Sequence, residues 1–225
     1  MNFIFHRVDN CRSFEDLTKN QFENFCKKLK AIDNYDKNFL ITFVDGNKSD
    51  IEAAEIARFY GLKTAHFIIT SNIGKNGFLS EDDILDLSIS GALIGTHTHN
   101  HVPLLDDERN LWRDEVYKSC RILGDLLGSD VKGLSVPYGL YTMSALSHVK
   151  ALDLKIYTSD PYHVGKTRNV IDRLGVNSSN VGSEISDLIS SHYSYKRAML
   201  FYLKDLFIKN FGRSSYLVMR DVLNK

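Results

Sequence analysis

A chain of 225 residues with 43% hydrophobic and 25% charged residues has the composition of one large globular domain, or of one domain with an appendage. Its 28 basic and 28 acidic residues cancel, which argues against nucleic acid as a partner and against a disordered chain. The three cysteines, Cys11, Cys26 and Cys120, form no C-x-x-C pair, so neither a disulfide framework nor a thiolate zinc site is expected, only incidental thiols in a reducing compartment.

At the N-terminus, His6, Arg7 and Asp9 interrupt the apolar residues too early for a secretory signal, and no uncharged run approaches a membrane span. The expectation is a cytoplasmic protein. "NFLITFV", rich in β-branched and aromatic residues, predicts a buried strand. "SDIEAAEIARFYG" carries Ile51, Ala54, Ile56 and Phe59 at helical spacing and stops at Gly61. "KTAHFIIT", from Lys63, predicts the next strand. Ser80 with Asp83 three residues on makes a capping box for a helix to about Ser90, ended by Gly91.

The alternation continues through a short strand "ALIG", a polar turn and a long helix from about Asp106 to Leu127. A strand follows around Gly133 to Val136, then a helix from about Met143 to Leu152, a strand "LKIYTS" and a last strand within Asn169 to Leu174. Strands that lack period-2 patterning and alternate with helices predict parallel βα units, as a barrel or a doubly wound sheet. The expected organisation is a domain over 1–180 and a helical extension over 181–225. In the extension, "YKRAMLFYLKDLFIKNFG" reads as an amphipathic helix packed on the domain, with docking to a membrane surface or a protein partner as the alternative.

The densest set of potential ligands is "GTHTHNH", Gly95 to His101, directly after a strand, where βα folds gather functional groups. His97 and His101 are four apart, so one helical turn would aim both imidazoles the same way and His99 elsewhere. Asp45 also stands at a strand end, in "ITFVDG". Alone it would read as a turn or N-cap residue before Gly46. With the two histidines it completes a two-imidazole, one-carboxylate set that leaves positions open on a divalent metal, the catalytic rather than the structural pattern.

These segments carry a resemblance. "ITFVDG", "LKTAHFII" and "GALIGTHTHNHVPL" resemble the motifs T-F-D-D-G, A-T-F-F and G-x-x-I-G-x-H-[ST]-x-x-H of the polysaccharide deacetylases, the NodB-homology domain of carbohydrate esterase family 4. "GLSVPYG" is similar to that family's R-x-P-Y-G, and "VIDRLGV" looks like the terminal strand of members found in surface-polysaccharide biosynthesis clusters. The resemblance runs from about Phe39 to Tyr157. It implies a distorted (β/α) barrel that removes N-acetyl groups from amino-sugar units of a glycan or a sugar-lipid intermediate. It also implies a metal, usually Zn2+, held by Asp45, His97 and His101, to activate water and polarise the acetamide carbonyl. The backbone N–H of Tyr138 is the implied donor to the developing oxyanion.

Two positions depart from the family pattern. Val44 stands where the family has the aspartate that acts as general base, and Ser135 where it has the third motif's arginine. No late L-x-x-H motif is evident, and His192 lacks the apolar strand context for one. The candidate replacements for the base are His66, on a strand whose alternate residues face a barrel interior, and Asp160 and His163, which follow a strand end. Each has a plainer reading: His66 as a packed core histidine, the other two as residues of a surface turn at Pro161. Asp50 reads as an early helical acid complementing the helix dipole. The functional expectation is therefore a metal-dependent deacetylase with an atypical base. The alternatives are a non-catalytic metal- or glycan-binding partner in polysaccharide biosynthesis, and an α/β protein whose histidines never meet Asp45.

Overall fold

The computed structural model describes residues 1–9, 13–32, 39–105, 111–159 and 169–192, with isolated positions beyond. The chain opens on a strand, β1 (Asn2–Phe5), followed by two short strands, β2 (Val8–Asp9) and β3 (Leu17–Thr18), that pair only with each other. Helix α1 (Lys19–Lys30) then starts from a capping box in which Thr18 and Gln21 satisfy each other's backbone N–H. The regular alternation follows: β4 (Leu40–Asp45), α2 (Asp50–Phe59), β5 (Lys63–Ile68), α3 (Glu81–Ile89), β6 (Leu93–Thr96), α4 (Leu111–Leu127), β7 (Gly133–Ser135), α5 (Met143–Lys150) and β8 (Lys155–Thr158). The chain then forms β9 (Val170–Asp172), β10 (Leu174–Gly175) and α6 (Ile185–His192). The Ser80–Asp83 capping box read from the sequence is present at the start of α3.

Eight strands form one parallel sheet in the order β10-β1-β4-β5-β6-β7-β8-β9. β9 pairs with β8 and β10 with β1, so the two edges are occupied by one stretch of chain that only Arg173 interrupts. That stretch nearly closes the sheet into a barrel and decides between the two architectures the alternation allowed. The single strand expected within 169–174 is thus two, split at the seam. β1 and α1 were not read from the sequence. The C-terminal helix expected beyond His192 lies largely outside the described residues, as do 106–110 at the expected start of α4. Among the described residues, no helix is long and apolar enough to cross a membrane.

The barrel interior holds Ile4, Val44, Ala65, Phe67 and Tyr157. Alternate residues of the same strands, including Phe3, Phe5, Ile41 and Phe43, pack outward against the helical layer around Phe22, Phe25 and Leu29 of α1. Gly95 of β6 admits the interior ring. A Cβ there would lie 2.6 Å from the Phe67 ring and 2.8 Å from the Gly133 carbonyl oxygen, which is backbone and cannot yield freely. Gly95→Ala is expected to destabilise the fold by about 1–3 kcal/mol through overpacking. A thermal melt should fall by roughly 2–4 °C per kcal/mol.

Candidate metal centre

Asp45 and His97 are aligned by strand register. Asp45 is in register with Ile68 on β5, and the His97 N–H donates to the Ile68 carbonyl at 2.9 Å, so the ends of β4, β5 and β6 make one row. Strand alternation would send Asp45 to the helical side, opposite Val44. Its backbone instead takes a φ of 73°, and the side chain joins the cleft at the carboxyl ends of the strands. The segment from His97 to His101 is a loop rather than the expected helical turn. Positive φ at Thr98 (65°) and His101 (60°) folds it back on itself. Helix α4 holds the loop through Ser119, 2.5 Å from the Thr96 hydroxyl, and through Glu115, which accepts from both the backbone and the side chain of Asn100. His99 turns away to the Thr70 hydroxyl at 2.9 Å.

The result is a compact donor triangle. His97 Nε2 lies 3.1 Å from His101 Nε2 and 3.6 Å from Asp45 Oδ1, and His101 Nε2 lies 3.8 Å from the same carboxylate oxygen. Bonds of the length zinc makes to nitrogen and oxygen, in a tetrahedron, separate donors by about 3.3 Å. The triangle therefore fits a divalent ion with a face left open, and these three residues alone form such a group among those described. His97 is buried, and its Nδ1–H donates to the Ser135 carbonyl at 2.8 Å, which fixes the tautomer and leaves Nε2 as the free lone pair. Burial, then the adjacent His101, holds the His97 imidazole well below the usual histidine range, so it is neutral, as a ligand must be.

Four of the five described non-glycine residues with positive φ are Asp45, Thr98, His101 and Tyr138. Left-handed backbone at such residues costs about 1–3 kcal/mol each, and it persists where the surroundings impose it, as at ligand-binding sites. Tyr138 lies in the single turn Pro137–Gly139, with its ring 4.3 Å from that of His101.

The triangle stands in a cleft of about 380 Å³ whose lining includes Val44, Tyr138, His6, Glu15 and Arg173. The sequence reading missed the last three. His6 directly follows β1 and, by the register Phe5↔Phe43, stands beside Val44. Asn47 staples the two strand ends together, donating to the carbonyls of both His6 and Val44. The signal that singled out Asp45, a polar residue ending an apolar strand, applies equally to His6 in "NFIFH". Arg173 is fully buried, and its guanidinium donates to Ser135 Oγ at 2.7 Å. A guanidinium thus does meet position 135, delivered from the barrel seam.

Of the expected base candidates, His66 is on the wrong side of the sheet. Its ring stacks on Phe43 at 5.0 Å, within the layer facing the helices, and burial drives its pKa down to about 3. Strand alternation explains the difference: Ala65 and Phe67 face the interior, so His66 cannot. Its neighbour there is Asp50, 3.9 Å away, which is fully buried rather than a solvated helix acid. Burial, with Asp45 nearby, pushes the Asp50 carboxyl well above the usual range. Asp160 and His163 lie outside the described residues.

The family model described as "Polysaccharide deacetylase" matches residues 31–157. The chain belongs to the polysaccharide deacetylase family. A curated polysaccharide deacetylase assignment, YxkH of Bacillus subtilis, is 24% identical over 160 residues, which is 69% of this chain and 57% of that protein. The chain thus spans little more than half the length of this relative. Two solved structures share the fold. The Streptococcus pyogenes deacetylase PplD in complex with acetate has a TM-score of 0.72 at 17% identity, covering 85% of this chain and 96% of that one. IcaB from Ammonifex degensii has a TM-score of 0.70 at 16% identity, covering 86% and 97%. The family match ends at Tyr157, so Arg173 and the seam strands lie beyond the matched residues of this family member.

Proposed function

We propose that this polysaccharide deacetylase family member is a divalent-metal-dependent hydrolase that removes N-acetyl groups from amino-sugar units of a surface polysaccharide, as glycan or sugar-lipid intermediate. The observation that carries the reading is the Asp45–His97–His101 triangle, open on one face at the carboxyl ends of the strands. A divalent ion bound there supplies a Lewis acid that activates water and polarises the acetamide carbonyl.

The chain's own residues supply the rest. The Ser135 carbonyl orients His97, and the left-handed backbone at Tyr138 fixes the direction of that residue's N–H, the donor assigned to the oxygen on which charge develops. One such donor contributes about 3 kcal/mol toward the transition state. Val44 has no proton-accepting atom. The role it leaves open falls to His6, which stands beside it, lines the cleft and lies close enough to help depress the His97 pKa. As an imidazole, His6 carries a nitrogen lone pair that can take a proton from water and return it to the departing amine.

The test is acetate release from N-acetylated amino sugars and sugar-lipid intermediates by the zinc- or cobalt-loaded protein. Release that Asp45→Ala abolishes is the expected result, and release no greater than in that variant would sink the reading. Val44 favours one competing reading, a non-catalytic member that keeps the site to bind a metal or a glycan. That protein would load metal and bind substrate without releasing acetate.

A further inference from the structure

Arg173 is a buried cation whose hydrogen bonds among the described residues all go to neutral acceptors. It stands between β9 and β10 with 1% of its surface exposed, and burial pulls its pKa down to about 9. Among the described residues, no carboxylate oxygen lies within 4.0 Å of it. Its donors go to neutral acceptors from other strands: Nη1 to Thr42 Oγ1 (3.3 Å), Nη2 to Ser135 Oγ (2.7 Å) and the Tyr157 carbonyl (3.3 Å), and Nε to the Thr158 carbonyl (3.4 Å). The guanidinium carbon lies 5.2 Å from the Phe67 ring centroid and 5.8 Å from that of Tyr157. Asp172, its neighbour in the chain, acts on it only from beyond contact distance, and burying a cation with no contacting anion is costly. A methionine or leucine would fill the same space without that cost, so packing alone is a poor reason for an arginine here.

The shortest of these bonds leads to the metal centre. Nη2 grips the hydroxyl of Ser135, and the carbonyl of that same residue receives the Nδ1–H of His97. Ser135 is the last residue of β7, just before the chain bends into the turn that carries Tyr138. Its carbonyl direction is therefore set on one side by the strand and on the other by this side-chain clamp.

We propose that Arg173 is a positioning residue for His97, acting through Ser135. The proposal rests on the metal-site reading above. Groups that orient a ligating histidine are typically worth 10–100-fold in metal affinity, and a clamp one residue removed falls at the lower end. A bare electrostatic role predicts the opposite sign. A guanidinium near a divalent cation repels it, so its loss would tighten metal binding.

The experiment measures zinc affinity by competition with a chromophoric chelator, for the wild type, Arg173→Met, Arg173→Lys, Ser135→Ala and the Ser135→Ala/Arg173→Met double variant. Melting of the metal-free forms is followed alongside. Arg173→Met is expected to weaken zinc binding about tenfold, and Arg173→Lys, which keeps the charge and a donor, by less. Ser135→Ala keeps the carbonyl but removes the clamped hydroxyl and should weaken binding comparably. The double variant should be little weaker than either single one, because both break one link. Unchanged or tighter zinc binding by Arg173→Met overturns the proposal, as do additive losses that merely track the metal-free melting temperature. Should Arg173→Met fail to fold, unchanged affinity in Ser135→Ala overturns it equally. A wild type that takes up no zinc overturns the metal reading and this proposal together. Zinc uptake that neither variant alters overturns the proposal alone.

Discussion

In a His6→Ala background, a Val44→Asp substitution is expected to raise acetate release about 10²–10⁴-fold, the range a positioned general base contributes. The side chain at 44 faces the barrel interior and lines the cleft next to Asp45, so a carboxylate there needs no backbone movement to approach the open face of the donor triangle. Burying a carboxylate in that apolar cluster would ordinarily cost several kcal/mol. Here a cation is already at hand. Arg173 bonds Thr42, two residues back on the same face of β4, and covers the ring of Phe67, the register partner of Val44. The variant should therefore fold, and steady-state acetate release with zinc, set beside a thermal melt, checks both statements. With His6 in place the same substitution should add only a few-fold, because His6 already meets the need for an acceptor. A folded, zinc-loaded variant with no acetate release would favour the non-catalytic reading.

His97→Ala is expected to remove stoichiometric zinc and with it all acetate release. Two donors remain, and the one lost is the buried member whose tautomer the fold fixes. The metal-free protein should also be weakened, because the Ser135 carbonyl loses its imidazole donor inside the barrel. An unsatisfied buried acceptor costs about 1–3 kcal/mol. Added zinc then separates the two losses. At one hundred times its Kd a ligand stabilises the native state by about 2.7 kcal/mol, which the wild type should show and His97→Ala should not. Elemental analysis and melts with and without zinc make the measurement.

Much of this was legible in the sequence for physical reasons. Parallel strands buried on both faces announce themselves as apolar runs, and their carboxyl ends are where polar residues collect, so Asp45, His97 and His101 could be picked out before any geometry. The architecture was legible down to two alternatives, and the choice between them was hidden in three-residue and two-residue strands around Arg173. Strands that short carry no periodicity. For His66 the plainer reading, a packed core histidine, holds, and the base alternative stayed open because strand register and facing depend on partners a linear reading cannot see. The helical turn expected for His97–His101 failed for a related reason. Spacing of four also fits a loop whose left-handed residues at 98 and 101 fold it back. His6 was overlooked because its strand has four residues and was taken as a terminus rather than an element.

The closing of the barrel carries a consequence for how this protein comes into being. The three candidate ligands have all been made once residue 101 is synthesised, but the wall of the cleft is completed only when Leu174 pairs with Phe3 near the start of the chain. Loop closure over that separation is entropically costly and makes this pairing a slow, late event. A nascent or truncated chain ending before the seam would thus own every ligand and no clamp, its His97 untethered from Arg173. On the clamp proposal, a divalent ion at this site should be held about tenfold more tightly once the seam strands have paired.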